Sequence, residues 1–156
     1  MTAPDFKALL AKPLDDVKRP PPPPAGTYYG IITAFKFQAS RWINEDSGEN
    51  DAQVHYTIKS IEAGEDVQAQ PELLDGIDLS KKQMAIDLPL SGGNEWITKV
   101  FLESLGIACS GRGFGDTVPE AMGHAVMFEV NHRPNKADPS APPFIDVRNM
   151  RARPSA

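Results

Sequence analysis

Apolar and polar residues alternate along several separate stretches of the chain. From Thr27 to Phe37 (TYYGIITAFKF) β-branched and aromatic residues dominate, which predicts a first strand. Gly30 within it predicts a bulge or tight coil, as strongly bent barrel strands require. From Gln53 to Ile61, Val54, Tyr56 and Ile58 alternate with His55, Thr57 and Lys59, the pattern of a half-buried second strand. Lys81 to Leu90 alternates again, with Met84, Ile86, Leu88 and Leu90 on one face. The period then changes. Trp96, Ile97, Val100, Phe101, Leu102 and Leu105 predict a helix capped by Asn94 and stopped at Gly106. His124 to Asn131 and Phe144 to Arg151 predict the last two strands.

The stretches between these elements are polar or rich in glycine and proline. Residues 44–52 predict a loop and residues 62–80 an acidic, turn-rich excursion. Residues 108–118 predict a flexible glycine-rich loop, and residues 132–143 a proline-rich hairpin loop. Residues 5–12 place Phe6, Leu9 and Leu10 on one side of a two-turn amphipathic helix, too short to be stable without a docking surface. Pro20 to Pro24 predict an extended polyproline spacer. The domain plan is an N-terminal arm over 1–24, a folded domain over 25–151 and a loose tail over 152–156. Strand, strand, strand, helix, strand, strand is the order of a mainly β, five-stranded barrel of the oligonucleotide/oligosaccharide-binding (OB) type, with one helix between strands three and four.

Composition narrows the class. The 156 residues make one domain, and no apolar run reaches the ~18 residues of a membrane helix. The N-terminus lacks a signal-peptide pattern, so a cytoplasmic setting is expected. A single cysteine, Cys109, excludes an internal disulfide and a cysteine-only zinc site. The net charge is −5, unevenly spread. Residues 25–150 carry 10 Lys and Arg against 18 Asp and Glu, a charge of −8, while residues 1–24 carry +1 and residues 151–156 carry +2. An anionic ligand must therefore be held by a local patch of cations rather than by the overall field.

Three stretches carry a family likeness: Pro24–Ile32 (PAGTYYGII), Phe101–Ile107 (FLESLGI), and the pair Gly123–Val126 (GHAV) with Phe144–Asn149 (FIDVRN). Over residues 24–150 the chain resembles a family of bacteriophage single-stranded DNA-binding proteins of the OB type. The resemblance implies single-stranded DNA as partner and a role in phage replication or recombination in the host cytoplasm, alongside other replication or recombination proteins, with no cofactor. The chain ends in Arg151-Ala152-Arg153-Pro154-Ser155-Ala156, where many bacterial single-strand binders carry an acidic tail.

Binding single strands without sequence preference takes aromatic faces for stacking and cations along the backbone path. Arg41 and Trp42 follow the first strand and stand at a loop mouth. Lys36 lies opposite Phe35 and Phe37, which share a face that fits the core. His55 and Lys59 share the polar face of strand two, which together with strand three forms the binding surface of OB barrels. Lys81 opens strand three, where Asp87 on the polar face would repel phosphate. Arg112 and Phe114 sit in the glycine-rich loop, and His132, Arg133 and Lys136 in the loop between strands four and five. Arg148 belongs to the last strand.

The sequence offers little for catalysis. It lacks a phosphate-binding GxxxxGK[ST] loop, an HExxH zinc motif and paired cysteines, and His55, His124 and His132 are too far apart to share a metal. The expected function is binding without chemistry. The alternative is a structural or adaptor module that forms homo-oligomers by docking residues 1–24 on another subunit.

Overall fold

A computed structural model describes residues 3–14, 22–43, 45–138, 140 and 143–154, apart from the side chain of Trp42. A short helix α1 (Phe6–Ala11) precedes two long strands, β1 (Gly26–Ile43) and β2 (Asn50–Ala63). After one helical turn, α2 (Glu65–Gln68), come β3 (Met84–Pro89) and α3 (Glu95–Ser104). A second short turn, α4 (Phe114–Thr117), leads to β4 (Ala125–Arg133) and β5 (Phe144–Ala152). The strands form one antiparallel sheet in the order β3-β2-β1-β4-β5.

The sheet does not close into a barrel. β3 pairs only with β2 and β5 only with β4, although the two outer strands approach each other. Pro23, Ile145 and Val147 face Lys82 to Ala85 across a groove of about 380 Å³, so side chains rather than backbone bonds occupy the seam. Helix α3 packs against both β3 and β5, and it anchors itself through a hydrogen bond from the Thr98 hydroxyl to the Pro89 carbonyl.

The alternation read from the sequence locates the core. Val54, Tyr56 and Ile58 of β2, Met84, Ile86 and Leu88 of β3, and Val126, Phe128 and Val130 of β4 are all buried. Tyr28 and Tyr56 are the largest fully buried side chains, and each hydroxyl has a backbone acceptor, Pro24 at 2.6 Å and Val118 at 3.0 Å. Burial, with Asp66 nearby, pushes the Tyr28 phenol up to about 12, and burial raises Tyr56 as well. Both stay neutral donors at ordinary pH.

Three irregularities in the β1–β2 ladder set the shape of the sheet. Tyr29 and Ile31 oppose Glu62 and Lys59, so β2 carries an extra residue there, and Ser60 takes φ 56°. The inward set of β2 thereby changes parity, from Val54, Tyr56 and Ile58 to Ile61 and Ala63. Gly30 stands opposite this bulge, as its place in the strand predicts. A Cβ at Gly30 would collide with Ile58 Cγ2 and lie 3.1 Å from the Lys59 carbonyl oxygen. Thr33 is the extra residue of β1 between Ile32 and Ala34, and a third shift falls between Ala39 and Ile43. Asn149 repeats the device in β5 at φ 53°.

Several boundaries differ from the sequence pattern. β3 starts at Met84, because Asp78 accepts from the Ser80 amide and starts a 3-10 turn over Leu79–Lys81. β4 runs on through His132 and Arg133, paired with Ile145 and Phe144. Phe114–Thr117, expected within the glycine-rich loop, form a helical turn, and a 3-10 turn follows over Val118–Ala121, where the sequence from Pro119 to Met122 suits one. The expected tail is partly fixed: Ala152 ends β5, and Arg153 lies 4.2 Å from the Tyr29 ring and 2.8 Å from Glu62. Pro23 and Pro24, assigned by sequence to the spacer, are buried against the body.

Gly30→Ala is expected to destabilise the fold by about 1–3 kcal/mol, because the added methyl has no room between Ile58 and the Lys59 backbone. Urea denaturation measures the loss, and an unchanged midpoint would contradict the assigned close approach.

Candidate nucleic-acid interface

The polar face of the β1–β2–β3 region is built by register. Lys36 of β1, His55 of β2 and Asp87 of β3 lie side by side in one row, and Gln38, Gln53 and Pro89 form the next. His55 Nδ1 donates to Asp87 Oδ1 at 2.7 Å, and Gln38 reaches the same oxygen at 3.4 Å. Asp87 is therefore matched by neighbours on two strands. Lys59 shares this face, but it stands at the Ser60 bulge, beyond the last β2–β3 pair.

These rows run into a groove of about 730 Å³. Arg41 from the end of β1 and Arg133 from the end of β4 supply its cations, Asp51 and Asp87 its carboxylates, and Gln53 and Ser91 neutral donors and acceptors. Arg133 is held in place: its Nε lies 3.1 Å from Asp146, and its guanidinium sits 4.9 Å from the centre of the exposed Phe144 ring. A guanidinium on an aromatic ring is a platform on which a nucleobase can stack. Phe144 was not singled out in the sequence, although an aromatic residue opening the last strand after a proline pair is a visible signal.

The other sequence candidates fall elsewhere. The side chain of Trp42 lies outside the described residues. Lys81 stands in the 3-10 turn before β3, 3.8 Å from Asp78, whose carboxyl is held below its usual range by Ser80 and then by Lys81. His132 belongs to β4 rather than to a loop, and its Nε2 donates to the Pro23 carbonyl at 2.6 Å, pinning the root of the arm. Lys136 is exposed in the β4–β5 connection. Arg148 is exposed on β5 and shares Asp146 with Arg133, at 3.6 Å. Phe37 is 47% exposed rather than core, its ring centre 5.5 Å from that of Phe35 in an edge-to-face contact, because it lies beyond Ile31, the last β1 residue paired with β4.

Arg112 has a structural post. Its Nη1 donates to the Ala108 carbonyl and to Glu120, both at 2.8 Å, and Nη2 reaches the Asp116 carbonyl at 3.3 Å. The hydrogen bond and charge of Glu120 raise the arginine, and Arg112 in turn lowers Glu120. Phe114, in the same segment, packs half-buried against the core. The pair staples residues 108–121 instead of presenting an adaptable loop.

Among the described residues there is no group of three or more His, Cys, Asp or Glu arranged to hold a metal ion, and no helix long and apolar enough to cross a membrane. Arg112→Ala is expected to lower the melting temperature at neutral pH. Glu120 is depressed in the folded state, so its share of stability is present above the unfolded value near 4.5 and fades as pH falls through the folded one. The gap between wild type and variant in calorimetry should therefore shrink on acidification; a gap constant from neutral to acid pH would contradict the Arg112–Glu120 assignment. No family model matches the chain, and no curated protein or solved structure matches it.

Proposed function

We propose that this protein binds single-stranded DNA without chemistry, by stacking bases and neutralising phosphates along the groove that Arg41 and Arg133 flank. The observation that carries the reading is the Arg133–Phe144 platform, whose arginine lines this groove together with Asp87, the end of the Lys36–His55–Asp87 row. A platform and a few cations suffice, since each stacked base contributes roughly 1–3 kcal/mol. The same reading makes the fold an open relative of the OB barrel. One long helix stands between β3 and β4, and the seam between the approaching β3 and β5 is the place where a five-stranded barrel would close. The sequence resemblance to phage single-strand binders extends the reading to replication or recombination.

The carboxylates set the limits. Asp87 and Asp51 stand inside the groove, and Asp146 already holds Arg133. A phosphate must exchange with Asp146 for the guanidinium, so binding is salt-sensitive and of moderate strength.

Oligo-dT binding, followed by fluorescence anisotropy across a salt series, tests the reading. Affinity should fall with salt, and Arg133→Ala should flatten the log–log slope by about 0.7, one phosphate contact on a single strand. Phe144→Ala should cost roughly 1–3 kcal/mol, whereas Arg112→Ala should leave affinity unchanged. Absence of binding at low salt, or equal losses for all three variants, would overturn it.

A further inference from the structure

Among the described residues, two apolar surfaces have no cover. Every described residue of α1 is exposed, including the stripe of Phe6, Leu9 and Leu10, the last at 84%. Helix α3 buries only Thr98, Phe101 and Leu102 of its residues. Trp96, Ile97 and Val100, which the sequence periodicity assigns to a buried face, stay exposed, Trp96 at 61% and Val100 at 58%. With Ile86, Leu88 and Met150 they line an apolar groove of about 530 Å³ between α3 and the edges of β3 and β5.

We propose that the chain self-associates, α1 of one copy laying its Phe6/Leu9/Leu10 face into the α3–β3–β5 groove of a second copy. The inference stands apart from the DNA-binding reading and names the surface that receives the arm. Three observations favour a second copy as the occupant. The helix has six residues, too few to be stable unless docked, and it carries apolar side chains at the i, i+3, i+4 spacing with which a helix fills such a groove. Charge also matches: Arg151 lines the groove, and Asp5 stands at the start of the helix that carries the apolar stripe.

The third observation is the tether. Its root is fixed on the body, where Tyr28 and His132 hold the Pro24 and Pro23 carbonyls. Pro20 and Pro21, which precede it in the sequence, lie outside the described residues; proline composition favours extended backbone. A reciprocal exchange of such arms closes a two-fold dimer.

The test is sedimentation equilibrium of the full chain. Wild type should sediment as a dimer that dissociates on dilution. Leu10→Glu, on the arm, and Val100→Glu, in the groove, should each weaken self-association by roughly tenfold or more. Both positions are exposed in the single chain, so far-UV circular dichroism should be unchanged. Trp96→Ser, at a second exposed groove position, serves if Val100→Glu does not fold. A wild type that is monomeric throughout, as it would be with the arm in its own groove, overturns the proposal. So does a Leu10→Glu monomer with a groove variant that stays dimeric, which would move the docking surface elsewhere.

Discussion

The structure depends on the irregular pairing of β1 with β2. β1 is the centre of the sheet, bonded to β2 along most of its length and to β4 over Gly26 to Ile31. A regular ladder of this length would keep one set of side chains inward from end to end. The Thr33 and Ser60 irregularities break that rule in opposite strands. Tyr28 and Ile32 point into the core near the start of β1, and Phe35 takes over after Thr33. The bulged strands coil, which brings β3 and β5 near each other with α3 across them. Gly30 makes this possible, since its missing side chain leaves the space that Ile58 and Ile61 fill.

The coiling also determines what the polar face can hold. The hairpin runs past the packed centre, so the outer row from Lys36 to Asp87 leads into a groove shared with the end of β4. Around it the acidic character of the body appears as specific pairs. Asp87 meets His55, Asp146 meets Arg133 and Arg148, Glu120 meets Arg112, and Glu62 meets Arg153. Cations compensated in this way project little field beyond the Debye length. On the proposed reading an anionic strand would have to be recognised at close range, by exchange of partners and by ring contact, which is the stricter demand that a charge of −8 over residues 25–150 imposes.

Much of this was legible in the sequence where one physical cause acted alone. Alternation over Val54, Tyr56 and Ile58 and over Met84, Ile86 and Leu88 marked strands whose inward residues are buried. Gly30 marked the bulge. Legibility failed where a distant partner decides. Nothing local to Arg112 announces Glu120, and nothing local to His132 announces the Pro23 carbonyl. Lys81 reads as strand because the alternation is continuous through it, whereas the Asp78 cap starts a turn there. The α3 periodicity was correct as a helix signal, yet it could not tell a face covered by the sheet from one left open. Barrel closure likewise depends on whether β3 and β5 present backbone or side chains to each other.

The central claim is that the outer face of β1 and β2, with the Arg133–Phe144 platform, receives a single strand. Its most direct test is a titration of the isotope-labelled protein with oligo-dT, followed by amide chemical shifts. The account predicts shifts concentrated at Lys36, Gln53, His55, Arg133 and Phe144, with residues 108–121 unmoved. Shifts confined to residues 108–121 or to the exposed face of α3, or no shifts at low salt, would contradict it.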